Sequence, residues 1–169
     1  LFLIVVAAAC FVLVLATQAL RSLVSLPRRA GEWRALRRER AAQSALREAL
    51  AEYFGARFGR ARKAAQRALA VAEETPTLAA DADFRVLAEL VAAGSLHRLQ
   101  DRTQRDETLR RALKAAQQGG TPRIAEEATR LLGAEWALED RDAPLALDLL
   151  AALPPGAARR THALRLRLK

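Results

Sequence analysis

Apolar and polar positions follow different rules in successive parts of the chain. Residues 1–20 contain no charged side chain, and twelve of the twenty are Leu, Ile, Val or Phe. From Trp33 onward apolar residues return every three or four positions, the period of an amphipathic helix, and no stretch alternates as a strand would. The periodic runs are broken at Gly55–Gly59, Thr75-Pro76, Gly119-Gly120-Thr121-Pro122, Asp140–Pro144 and Pro154-Pro155-Gly156. These breaks predict helices over 34–54, 58–74, 78–98, 102–118, 122–139 and 143–153, with a last one opening at Ala157. Thr121 and Pro122 suit an N-cap and first helical position. The fold class is all-α.

The opening run is long enough to cross a bilayer, which takes roughly 20 apolar residues. Its twelve large apolar side chains contribute about −0.3 to −0.6 kcal/mol each, enough to carry Thr17 and Gln18. In lipid the backbone must satisfy itself, so the span is helical. Arg21, Arg28 and Arg29 mark its exit, and positive flanks stay in the cytoplasm. The reading is a transmembrane helix at 1–26, a basic juxtamembrane segment at 27–40 and a helical domain at 41–169 on the cytoplasmic side. The arginines of 28–40 also suit contact with anionic lipid headgroups. A cleaved signal peptide would carry its charge before the apolar run. The string Ala7-Ala8-Ala9-Cys10 has the outline of a lipoprotein cleavage site, but apolar helix continues beyond it. A buried core helix would not end on an arginine block. The chain has no Met, which leads us to expect a start lying upstream.

The body repeats. Ala61, Ala65 and Ala68 in "FGRARKAAQRAL" recur as Ala146, Leu150 and Leu153 in "APLALDLLAAL", and the middle stretch "DETLRRALKAA" offers Leu109, Leu113 and Ala116. Each set lies on one helix face, and small residues there let two helices approach closely. Short breaks force neighbours antiparallel, so residues 34–154 read as three antiparallel helix pairs about 40 residues apart, near the periods of helical-repeat proteins.

Composition narrows the function. The chain is 51% hydrophobic but only 5% aromatic, so its apolar mass is Ala and Leu, which favours helix over sheet. The net charge of +9 is uneven. Residues 21–40 hold seven Arg against two Glu, 41–158 sixteen basic against seventeen acidic groups, and 159–169 five basic groups. A neutral body between basic ends is not a nucleic-acid interface, which concentrates charge on a folded face. The lone Cys10 excludes a disulfide framework and a cysteine zinc site within the chain.

Phe58, Ala61 and Ala68, with Ala65 and Leu69, resemble the second half of a tetratricopeptide (TPR) repeat: an aromatic, a small residue three later, another seven after that. Two departures stand out. The first helix lacks the family's Leu-Gly pair, and Arg102 and Arg105 occupy two of the corresponding places in the second unit. The order of segments is more specific. An apolar helix, an arginine-rich exit, then "ALREALAEYFGARFGRARKAAQRALA" and TPR-like pairs resembles the HemY-type proteins of proteobacteria. These are inner-membrane proteins linked to late haem (porphyrin) biosynthesis, distinct from the oxidase sharing their name. Such proteins have two adjacent membrane helices and a longer repeat array, so the resemblance implies a fragment of the N-terminal part.

Candidate chemistry is sparse. No HExxH, phosphate loop or nucleophile elbow occurs. Glu73-Glu74 and Glu126-Glu127 are helix neighbours that diverge by about 100°, which suits solvated charge better than an acid–base pair. His97 and His162 have the chemistry of haem ligands, as does Tyr53, and His97 is the candidate retained; no metal site or other cofactor is assigned. The resemblance implies a bacterial inner-membrane scaffold, not an enzyme, that organises late haem-synthesis enzymes or hands on a tetrapyrrole. Its partners would be other proteins and the lipid bilayer, without nucleic acid. A general membrane-tethered TPR adaptor and a direct haem or porphyrin binder are the alternatives.

Overall fold

The computed structural model describes residues 33–118, 123–153 and 155–158. The membrane span expected at 1–26, its flanking Arg21, Arg28 and Arg29, the Thr121-Pro122 helix start and His162 lie outside these residues. No helix among the described residues is long and apolar enough to cross a membrane. The chain divides into two compact units, residues 1–38 and 39–169. In the first unit, residues 33–38 are helical and exposed. All other described residues belong to the second.

All the described secondary structure is helical. Helix α1 is described over 33–54. It is followed by α2 (Phe58–Glu73), α3 (Pro76–Ala79), α4 (Ala82–Arg98), α5 (Arg102–Gln118), α6 (Arg123–Glu139), α7 (Ala143–Ala151) and α8 (Pro155–Ala158). The stretch expected as one helix at 78–98 is two. Pro76 opens α3, and Asp81 caps α4 by accepting from the Phe84 N–H at 3.0 Å. An aspartate so placed competes for the backbone and starts a helix afresh.

A single turn recurs three times. Ala56, Gln100 and Arg141 all have left-handed backbones, with φ of 57°, 60° and 63°. At each, that residue's N–H donates three positions back, to Tyr53, His97 or Leu138, and the next N–H donates five back, to Glu52, Leu96 or Ala137. This paired bonding closes a helix C-terminus and turns the chain at once. In the second and third turns the following Asp101 and Asp142 cap the next helix, each accepting a backbone N–H at 3.1 Å. The turns therefore define the pairs α1/α2, α4/α5 and α6/α7. They stand 44 and 41 residues apart, longer than the about 34 residues of a TPR unit; the first interval includes α3.

Counting from these turns gives the true register. Ala49, Ala93 and Ala134 sit seven residues before the left-handed residue, and each is 0% exposed. After it, three buried sets occur in turn: Ala61, Arg105, Ala146; then Ala65, Leu109, Leu150; then Ala68, Ala112, Leu153. The middle set expected at Leu109, Leu113 and Ala116 is thus one turn late. Its equivalents are Arg105, Leu109 and Ala112, because a buried arginine occupies a place that apolar patterning skips. Leu69 is partly buried against the cluster of Ala42, Leu46, Ala68, Ala72, Leu78, Phe84 and Ala88.

Helix α4 holds the pairs together. It buries Phe84, Val86, Ala88, Val91, Ala92, Ala93 and Leu96, residues that cover most of its circumference, as a central helix must. One side meets Ala49, Ala64 and Ala65 of the first pair. Another, through Ala93, meets Leu109 and Trp136. Two glycines permit the approach: a Cβ on Gly94 would lie 3.1 Å from the Tyr53 Oη, and one on Gly133 would lie 2.9 Å from Leu109 Cδ2.

Substitutions at the seam and at the turns test this packing. Replacing Ala61 or Ala68 by Leu should overpack the α2 seam and cost about 1–3 kcal/mol in urea unfolding; an unchanged midpoint in both variants contradicts the register. Replacing Gln100 or Arg141 by Gly should relieve a left-handed side-chain clash and add up to about 1 kcal/mol, whereas Gly at the helical Ala112 should destabilise.

Candidate functional site

The middle pair carries the most developed polar arrangement among the described residues. Arg105, on the first turns of α5, has a side chain only 5% exposed. Its Nε donates to Asp106 Oδ1 at 2.8 Å and a terminal nitrogen donates to Asp140 Oδ2. The other terminal nitrogen lies 3.2 Å from His97 Nδ1. The guanidinium sits 5.8 Å from the Trp136 ring centroid. Arg102 adds an Nε contact of 3.1 Å to Asp140 Oδ1. The tight turn after α4 places His97 beside α5, and the matching turn after α6 brings Asp140 to the same place. The ends of α4 and α6 and the start of α5 thus supply one cluster.

The electrostatics arise from this packing. Burial raises the cost of charging Asp140, but the Arg105 hydrogen bond and charge, with Arg102 beside them, outweigh it and hold the carboxyl below its ordinary 3.8. Burial likewise works against the Arg105 cation, and the carboxylates of Asp140 and Asp106 reverse the balance, so its value is raised. Neither group is poised to exchange a proton near neutral pH, and the pair is a structural clamp.

His97 is held within this clamp. Its ring stacks on Trp136 with centroids 5.0 Å apart and planes 15° from parallel. Arginine can only donate, so Nδ1 accepts and the proton resides on Nε2, which lies 3.0 Å from Glu139 Oε2. Both ring nitrogens are engaged and one face is covered, so a ligand taken through Nε2 would displace the Glu139 contact. Tyr53 is partly buried against Ala49, Ala64, Ala65 and Val91, with Phe54 and Phe58 edge-on at 5.7 Å. Phe58 is half-buried beneath the Arg98 guanidinium, 5.9 Å from its centroid. Ala61, Ala65 and Ala68 are fully buried.

A second feature lies between α2, α4 and α5. A groove of about 500 Å³ is lined by Gln66, Leu69, Glu73, Arg85, Glu89, Arg111 and Lys114, among others. Glu89 is 9% exposed. Its Oε1 accepts from Arg111 Nε at 3.2 Å, while Oε2 is buried with no hydrogen-bond partner among the described residues. Burial is the main cause of its raised carboxyl value, and Arg111 opposes the shift. Glu89 therefore favours stability most below its ordinary 4.5, and that contribution declines as pH rises through the elevated value.

Neither Glu89 nor the Arg105–Asp140–Trp136 arrangement is visible as a motif. The one available signal was Arg105 itself, an arginine where the neighbouring units place alanine. Asp140 behaves in the opposite sense to Glu89: its contribution is complete above 3.8 and is lost as pH falls through the depressed value. Asp140→Ala should leave Arg105 buried with Asp106 as its one remaining carboxylate partner among the described residues, costing about 3 kcal/mol. Asp140→Asn should flatten the acid limb of the stability–pH profile below 3.8; equal acid limbs in wild type and variant contradict the clamp.

The chain matches the family described as HemY protein N-terminus over residues 1–86, from the apolar opening through α3 to the first turns of α4. The clamp around Arg105 lies beyond the matched residues. No curated protein and no solved structure matches the chain. The match covers more than half of the 169 residues, a span that takes in the apolar run, the arginine block and the first helix pair: the chain belongs to the HemY N-terminal family.

Proposed function

We propose that the chain is a membrane-anchored helical-repeat scaffold of the bacterial inner membrane, its repeat domain cytoplasmic, that acts by binding proteins and not by catalysis. Its partners are enzymes of late haem synthesis, which it organises or between which it hands on a tetrapyrrole. The observation that carries this is the threefold turn, at Ala56, Gln100 and Arg141, in a chain of the HemY N-terminal family. Repeated pairs stacked through one seam leave an extended surface, the usual basis of partner binding in repeat proteins. The groove between α2, α4 and α5, lined by Glu73, Arg85, Arg111 and Lys114 among others, is a charged recess on that surface for a partner. The TPR-like description fits the pairing and departs from the TPR period.

Direct tetrapyrrole binding is the second reading, and the family's haem link is its support. The engaged ring of His97 counts against it.

Affinity capture of the full chain in detergent, with a short cross-linker, should recover late haem-synthesis enzymes. Recovery of unrelated assembly factors in their place supports the general adaptor. Haem titration of the same preparation should give a weak spectral change that persists in His97→Ala; a tight Soret band lost in that variant supports the haem binder.

A further inference from the structure

The helical body is electrically divided. Residues 40–72 hold seven basic and two acidic groups, and residues 73–158 hold ten basic and fifteen acidic groups. The two acidic groups of the first part are already spent. Glu52 pairs with Arg57, and Glu48 pairs with Arg67 at 2.8 Å. Arg62 reaches Gln104. That leaves Arg40 and Arg47 on α1, and Arg60 and Lys63 on α2, exposed and without a carboxylate partner among the described residues. On α1, Arg40 and Arg47 recur at a spacing of seven on the side away from the buried Ala42, Leu46 and Ala49. Phe54 continues that line and is 82% exposed. A trough of about 550 Å³ between the helices is lined by Arg60, Lys63 and Arg67, with Glu48 the one acidic residue among the described residues lining it.

We propose that this outward face of the first helix pair, carrying Arg40, Arg47, Arg60 and Lys63 with Phe54 at its end, docks on an anionic bilayer surface. Cations spread along two helices suit a diffuse negative plane, where each contributes separately. An exposed aromatic ring among them suits the headgroup–acyl boundary. An acidic protein segment would meet the same charges. The bilayer is favoured because the apolar run precedes α1 and the arginine block runs into it, so this pair is the part of the body nearest the predicted span along the chain. The inference rests on the membrane-anchored reading above. The more acidic remainder, residues 73–158, is repelled by the same surface and left facing the solvent.

The test uses the full chain in nanodiscs of phosphatidylcholine, with or without phosphatidylglycerol, containing nitroxide-headgroup lipids. Cys10→Ala removes the native thiol, and a fluorophore is placed through Ser44→Cys on the exposed side of α1 or Asp148→Cys on α7. The Ser44 label should be quenched in phosphatidylglycerol discs and not in phosphatidylcholine discs. Quenching should be lost at about 1 M salt, where the Debye length is ~3 Å, and in Arg60→Glu/Lys63→Glu with helix content unchanged. The Asp148 label should stay bright throughout. A Ser44 label that stays bright in phosphatidylglycerol discs overturns the proposal and leaves the face to an acidic protein; equal quenching in both lipids also overturns it. Retention of the chain on phosphatidylcholine discs at high salt reports the anchor separately. If the chain elutes free there while Ser44 is still quenched on phosphatidylglycerol discs, the anchor fails and the docking stands.

Discussion

Close approach of helix backbones is the constraint on which the body depends. Helix axes come within about 8 Å only where side chains at the crossing are small, and here the crossing residues are Ala49, Ala93 and Ala134 on one helix of each pair. An alanine buries little apolar area, about one methyl's worth, so no single contact secures a pair. Stability must come from repetition and from neighbours. That explains why α4 is buried around most of its surface: it is the shared wall that lets two weakly cored pairs count as one structure. It also explains why the turns are so uniform. A helix that must meet its partner at one set of alanines cannot tolerate a turn that rotates it.

Arg105 is the exception that this constraint makes intelligible. Its equivalents are Ala61 and Ala146, which need only a methyl's space. A guanidinium there must be desolvated, and it is accepted only because Asp140, Asp106 and the Trp136 face surround it. A buried pair of this sort gains little over an apolar replacement but costs much if halved. The clamp also joins the turn after α6 to the start of α5, so polar contacts add to the apolar packing of Leu109 and Trp136 in positioning the third pair.

The helices, their pairing and the seam of the first and third units were legible in the sequence, because there the pattern and the packing use the same apolar residues. The register of the middle unit was not. Apolar periodicity passes over Arg105 and settles on Leu113, which is only half-buried. The break at α3 was hidden for a related reason: Leu78 and Phe84 are both buried, so a continuous helix satisfies hydrophobicity, and only the cap at Asp81 distinguishes the two cases. The clamp and the Glu89 groove were invisible because their members come from separate helices. His97 stood out as chemistry in the sequence, yet its stacking partner Trp136 and its acceptor Glu139 lie about one helix pair away.

Anchoring changes how much affinity a surface needs. Four exposed cations, at about 1 kcal/mol each near an anionic leaflet, would bind a free domain weakly, and salt would weaken them further. A tether removes most of that difficulty, because docking becomes an intramolecular event at an effective concentration set by the linker. A modest patch then suffices to choose an orientation without making it permanent. On the docking proposed above, with the first pair against lipid, the later pairs would be presented to the aqueous side, where soluble partners would arrive. The charge division between residues 40–72 and 73–158 would thus serve position more than affinity.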